Sequence, residues 1–289
     1  MKKLSKLLLI TLLFFILSGC ARKHNQQVLS ADNVMISYHV QGQGKPALVF
    51  VHGWCCDKRY WKFQVPYFAK QYKVVTIDLA GHGDSGLGRE DYTIKAFGGD
   101  VAAVVKKLQL DEVILIGHSL GGPVIIEAAR KVPKCVLGCI GADTLHNIEK
   151  PYDIEENEKM ISKLKQAFVG PMQNFVRSAF KADAYPEVVQ WIVDNMSSVN
   201  PKVGISVIEN IGKYDLKEAV KDVQVPIVCI NSDFWTTSVE ANRKYAQNYK
   251  VKLMPGIGHF VMMEAPENFN QLLAETIAEL RKTNYAEKR

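Results

Sequence analysis

The six residues Gly117-His118-Ser119-Leu120-Gly121-Gly122 leave this chain fewer possible folds than any other segment. An apolar run, Val113-Ile114-Leu115-Ile116, leads into them, and residues 123–129 read as a helix. Gly-x-Ser-x-Gly between a strand and a helix is the pattern of a nucleophile elbow. The turn is so tight that only glycines fit beside the serine, and it pushes the Ser119 hydroxyl out above the end of a sheet. The bare pattern is common by chance. The strand before it, the helix after it and the partners elsewhere in the chain give it weight.

Strand-like and helical runs alternate around this point. Residues 33–40 alternate in polarity and suggest an early antiparallel strand, while 47–51, 73–78, 112–117, 136–142, 226–231 and 250–254 are short and apolar, as strands covered on both faces should be. Amphipathic helical stretches fall at 58–70, 94–109, 121–132, 239–248 and 266–282. The pattern predicts an α/β fold: a mostly parallel central sheet with helices on both faces, joined by right-handed crossovers. Residues 145–214 break the alternation. They are helical throughout, follow what is taken as the sixth core strand, and are most simply an all-helical cap over the carboxyl end of the sheet. Their Met160, Phe168, Met172, Phe175, Phe180, Trp191 and Met196 are expected mainly to pack against the core.

The ends read differently. Residues 1–6 are basic and 7–17 are apolar apart from Thr11, too short to span a bilayer but suited to a signal peptide. Leu17-Ser18-Gly19-Cys20 resembles a bacterial lipobox, which implies a lipid-modified Cys20, export, and anchoring to a membrane of the cell envelope. The expected organisation is a signal peptide at 1–19, a lipidated tether at 20–28, core at 29–144, cap at 145–214 and core again at 215–289. Loss of residues 1–19 removes three lysines and no acid, lowering the formal charge from +6 to +3. That is too mild and too evenly spread for a nucleic-acid partner. A hydrophobic content of 47% supports a sizeable core. With Cys20 set aside, five cysteines remain. Cys135, Cys139 and Cys229 lie in or beside apolar runs, and in a strand Cys135 and Cys139 stand about 13 Å apart, too far to bridge. Cys55 and Cys56 are read as two free thiols, a strained vicinal disulfide being the alternative.

A serine hydroxyl is a poor nucleophile until a base takes its proton, and the base must be a histidine held by a carboxylate. On this type of sheet the order is serine, acid, histidine. Residues 225–231 form a strand that runs into Asn231-Ser232-Asp233, and residues 250–254 form a strand followed by Gly256-Ile257-Gly258-His259. Ser119, Asp233 and His259 are therefore the candidate nucleophile, acid and base. Asp143 also ends a core strand and could reach the histidine. Its place in the order favours Asp233, leaving Asp143 to cap the entry to the helical block. His52 and His82 are expected to make structural hydrogen bonds and His118 to support the elbow. No histidine or cysteine spacing suggests a metal site.

At these residues the chain resembles the α/β-hydrolase superfamily, in its branch with a helical cap after the sixth strand. The resemblance runs from about residue 30 to the end. It rests also on His52-Gly53-Trp54, on Asp78-Leu79-Ala80-Gly81-His82-Gly83-Asp84-Ser85, and on Gly258-His259-Phe260 followed by Glu264-Ala265-Pro266-Glu267. One departure is Asn231-Ser232-Asp233-Phe234, where relatives often carry Gly-Asp-x-Asp. The resemblance implies a serine hydrolase that cleaves an ester, or a related acyl bond such as an amide or thioester, of a small molecule through an acyl-Ser119 intermediate, without cofactor. The backbone N–H groups of Leu120 and Trp54 are the expected oxyanion donors, and the Trp54 side chain is expected to shape the pocket. Carbon–carbon bond hydrolysis, cofactor-free perhydrolase chemistry and ligand sensing on the same scaffold are the alternatives.

Overall fold

The computed structural model describes residues 26–150 and 153–287; the expected signal peptide and Cys20 lie outside the described residues. The strands are β1 (Gln26–Leu29), β2 (Met35–Gln41), β3 (Ala47–Val51), β4 (Val74–Ile77), β5 (Val113–His118), β6 (Val136–Ala142), β7 (Ile227–Ser232) and β8 (Tyr249–Met254). They form one sheet in the order β1-β2-β4-β3-β5-β6-β7-β8. β3 to β8 run parallel, with β2 antiparallel to β4 and β1 antiparallel to β2. Every residue of β3, β4, β5, β6 and β7 is buried, which is why these strands read as unbroken apolar runs. β1 takes Gln26, Gln27 and Val28, expected as tether, into the sheet edge.

The helices are α1 (Gln64–Phe68), α2 (Ile94–Lys107), α3 (Gly121–Lys131), α4 (Ile154–Gln166), α5 (Val169–Ser178), α6 (Pro186–Ser197), α7 (Pro201–Ile211), α8 (Leu216–Lys221), α9 (Val239–Arg243), α10 (Val261–Glu264) and α11 (Pro266–Glu287). The single helix expected at 58–70 is instead a 3-10 turn, Lys58–Trp61, and then α1. Asp57 caps that turn by accepting from the N–H of Arg59. α9 is half the length expected at 239–248.

Between β6 and β7 the chain is helical, α4 to α8. Asp153, not Asp143, caps the entry to α4, accepting from the Glu156 N–H at 3.0 Å. Met172, Val176, Ile192, Val193, Met196, Val203 and Val207 are buried with the main core. Trp54 ties core to insertion: its indole donates to the Gly204 carbonyl of α7 at 2.9 Å, and its ring meets Phe175 of α5 edge-on with centroids 5.3 Å apart.

Candidate active site

The elbow follows from local sterics. β5 ends at His118, Ser119 adopts φ +51°, and α3 starts two residues later. Positive φ costs an L-residue energy and must be held by its surroundings. Here the Ser119 N–H donates to the Ala142 carbonyl at 3.1 Å, and the Ser119 carbonyl accepts from Thr144 Oγ1 at 2.7 Å. A Cβ on Gly121 would stand 2.6 Å from the Val51 carbonyl oxygen, and one on Gly117 would collide with the backbone of Gly121. Both flanking glycines are therefore obligatory.

Ser119, Leu120, Asp143, His146 and His259 line one cavity of about 1040 Å³ at the carboxyl ends of β5, β6 and β7. The helical insertion closes its other side through Phe175, Ile211 and Tyr214. Trp54 stands behind Phe175 and does not itself line the cavity, so its side chain shapes the space only through that contact. A cavity of this size suits a small-molecule ligand.

His259 follows β8 on a loop clamped from three sides. The Glu264 carboxylate accepts from the N–H groups of Gly258 at 3.0 Å and Phe260 at 2.9 Å. The His259 N–H donates to the Ala179 carbonyl at 2.9 Å, and its own carbonyl accepts from His118 Nε2 at 3.1 Å. His118 thus links the elbow to the histidine loop.

The carboxylate on this histidine is Asp143. Its Oδ2 lies 2.6 Å from His259 Nδ1. Asp233, favoured by sequence order, is elsewhere: it is exposed, its Oδ1 accepting from Lys181 Nζ at 2.7 Å and from the Gly256 N–H at 3.1 Å. The Lys181 partner, with the Gly256 N–H, holds its carboxyl below the ordinary carboxylate value. The physical reason lies one residue past β6. Asp143 takes φ +46°, a conformation aspartate tolerates better than most residues, and is almost wholly buried. There the N–H and Oγ of Ser232, at the end of β7, donate to its Oδ1 at 2.7 and 2.9 Å. Burial pushes the Asp143 carboxyl upward, but the imidazoles of His146 and His259 beside it outweigh that and hold it far below the ordinary value.

The remaining motif histidines are structural. His52 Nε2 accepts from the Leu79 N–H at 3.0 Å, so the ring proton sits on Nδ1 and is donated to the Gly53 carbonyl at 2.8 Å. His82 Nδ1 lies 3.0 Å from the Ala80 carbonyl. Burial pushes His52 down to about 4, and His82 and His118 to about 3. An unfolded histidine titrates near 6.5, so these three stay neutral in the fold and bind protons only on unfolding. Their stabilisation is whole above about pH 6.5 and is lost as pH falls toward 3–4. Three such protons steepen the loss by up to about 4 kcal/mol per pH unit. Calorimetry is expected to show the melting temperature falling steeply between about pH 6 and 4.5, less so in His82→Gln. A flat profile over that range contradicts the assignment.

The model of the alpha/beta hydrolase family matches residues 48–272. The chain belongs to the alpha/beta hydrolase family. It is 26% identical over 249 residues to karrikin insensitive 2 receptor IA of Petunia hybrida, covering 81% of this chain and 90% of that protein. It is 25% identical over 267 residues to a bifunctional esterase/perhydrolase of Acinetobacter calcoaceticus, covering 84% and 96%. A thermophilic esterase from Thermogutta terrifontis shares the fold with a TM-score of 0.78 at 21% identity, over 89% of this chain and 98% of that one.

Sequence reasoning about this alpha/beta hydrolase left several site residues without a role. Glu264 was legible only as part of a motif, because its double clamp depends on the fold of the 258–264 loop. Ser232 and Asn231 were legible only as a departure from the usual acid loop, since their partners in the 143–146 loop lie 85 to 89 residues away. The five described cysteines are free thiols; Cys55, Cys56, Cys139 and Cys229 are fully buried, and Cys55 and Cys56 carry strongly raised pKa values through burial.

Proposed function

We propose that this chain is a serine hydrolase that cleaves an ester of a small molecule, with Ser119 as nucleophile, His259 as base and Asp143 as the acid that orients it. The single observation that carries the reading is the 2.6 Å contact of Asp143 Oδ2 with His259 Nδ1 at the wall of the cavity that Ser119 also lines. With Nδ1–H committed to the carboxylate, Nε2 is left as the proton acceptor. His259 takes the Ser119 proton as the oxygen attacks the ester carbonyl, and returns it to the leaving alcohol as the acyl-serine forms. Water then attacks the acyl carbon, giving its proton to His259, and Ser119 leaves with that proton. The backbone N–H groups of Leu120 and Trp54 are the donors proposed for the oxyanion; removing one such donor costs about 3–4 kcal/mol of transition-state stabilisation. The esterase/perhydrolase relative supports ester chemistry.

A fluorophosphonate is expected to label Ser119, and a panel of acyl esters of increasing length to reveal sustained turnover. Absence of labelling in folded protein removes the reading. The likeness to a receptor favours one second reading, ligand sensing on the same residues; tight binding with a single slow turnover, in place of repeated turnover, selects it.

We further infer that Cys20 is acylated and anchors the exported chain to a membrane of the cell envelope. Support comes from the apolar stretch at 7–17 and Leu17-Ser18-Gly19-Cys20. Among the described residues no helix is long and apolar enough to cross a membrane. Incorporation of a clickable palmitate into the chain, and its loss in Cys20→Ser, is expected; no incorporation leaves a plain signal peptide.

A further inference from the structure

Asp143 has a second imidazole beside it. Its Oδ2 faces His259, while 3.7 Å from its Oδ1 lies Nε2 of His146, three residues along the loop after β6. The proton on His146 can be placed from its neighbours. Asn231 Oδ1 accepts from the Thr144 N–H at 3.1 Å, so the other terminus of that side chain is the amide nitrogen. This nitrogen donates to the Thr144 carbonyl and to Thr237 Oγ1, each at 3.0 Å, and stands 3.3 Å from His146 Nδ1. Both of its hydrogens are committed to those two oxygens, and an amide nitrogen cannot accept, so it is no acceptor for a proton on His146 Nδ1. Thr237 Oγ1, 3.1 Å from the same Nδ1, accepts from Asn231 and is left with its hydroxyl hydrogen to donate to the ring. The proton of the neutral ring is therefore on Nε2. That atom is buried and makes no hydrogen bond; the acid's carboxylate is the charge beside it.

The ring cannot easily turn away. The His146 carbonyl accepts from the Ser238 N–H at 2.8 Å, and the Trp235 indole packs edge-on against both His146 and His259, with centroids 5.7 and 4.8 Å away. At 3.7 Å the N–H is beyond hydrogen-bond length. It acts as a fixed partial positive charge on a carboxylate shielded from water, where such interactions are strengthened.

We infer that His146 is a positioning residue for the reaction: with Ser232 it loads Oδ1 of Asp143, so that the carboxylate stays charged and keeps Oδ2 on His259. The inference rests on the triad reading above. His146 itself touches no reacting atom in this role.

The test compares His146→Leu, His146→Gln and Thr237→Val with the unaltered protein, using ester turnover and the low-field NMR resonance of the His259 Nδ1 proton. In His146→Leu, kcat is expected to fall about tenfold, from loss of the N–H dipole beside the buried carboxylate, with KM within about twofold. The low-field resonance is expected to move. His146→Gln, which restores a donor, is expected to recover most of kcat and to return the resonance. A raised KM with unchanged kcat, an unmoved resonance, or a glutamine variant no better than leucine each overturns the inference. If His146→Leu does not fold, Thr237→Val, which frees the ring to turn, must show the same kcat loss and resonance shift, and its failure to do so overturns the inference equally. The resonance is read without substrate, so it judges His146 even if no ester is turned over. Absence of fluorophosphonate labelling in the unaltered protein sinks the triad reading separately.

Discussion

Ser119→Ala is expected to lower kcat for an ester substrate by about 10⁶-fold while leaving KM little changed. The substitution removes one oxygen and asks nothing new of the backbone. The φ of +51° at this position is already strained for serine and is equally so for alanine, and it is held by the Ala142 carbonyl and by Thr144 Oγ1, neither of which touches the lost hydroxyl. The melting temperature is therefore expected to stay close to that of the unaltered protein, which separates loss of chemistry from loss of fold. Binding survives because the cavity walls, Phe175 and Tyr214 among them, are untouched. Residual catalysis of about 10³–10⁴ over water can persist through the oxyanion donors and substrate binding alone. Turnover by the folded alanine variant within about a hundredfold of the original excludes an acyl-Ser119 intermediate.

The elbow was legible because its constraint is local. Gly117 and Gly121 are fixed by backbone oxygens within the turn or beside it, and five residues of sequence express that. The parallel strands were legible for a similar reason: burial on both faces writes itself as an apolar run. β1 escaped because an exposed edge strand of Gln-Gln-Val-Leu shows no such run. The helix read at 58–70 failed because Asp57 and the turn after it divert the chain before Gln64, a competition that amphipathic spacing does not express. The carboxylate beside His259 was the most instructive difference. Asp143 and Asp233 each stand one residue beyond a core strand, so sequence order alone cannot weigh their surroundings. What separates them is three-dimensional. Ser232 supplies two donors to Asp143, whereas Asp233 is exposed and paired with Lys181 of the insertion. The Asn231-Ser232 departure from the usual acid loop was visible in the sequence. In the structure Ser232 donates to Asp143 and Asn231 bonds to Thr144, both in the loop after the neighbouring strand.

Asp143→Asn and Asp233→Asn should therefore part sharply. Asparagine at 143 keeps the shape, and its amide oxygen can still accept from the Ser232 N–H and Oγ at the Oδ1 position. Its amide nitrogen then faces His259 Nδ1 as a donor, which drives the ring proton to Nε2, the atom that must accept from Ser119. The wrong tautomer and the lost negative charge together are expected to lower kcat by about 10⁴-fold. At position 233 the side chain is exposed, and asparagine retains an acceptor for the Gly256 N–H while giving up only the Lys181 pair. Exposed pairs of this kind contribute little, so kcat is expected to stay within about threefold. Steady-state kinetics on the two variants, with circular dichroism to match their folding, reads the difference directly. If Asp233→Asn abolishes turnover and Asp143→Asn does not, His259 must leave its 2.6 Å partner during the reaction, and the acid assigned here is the resting one only. A loss of similar size in both variants points to a carboxylate relay between the two loops. The surroundings of Asp143 speak against such a relay, because His146, His259 and the donors of Ser232 all favour its charged form.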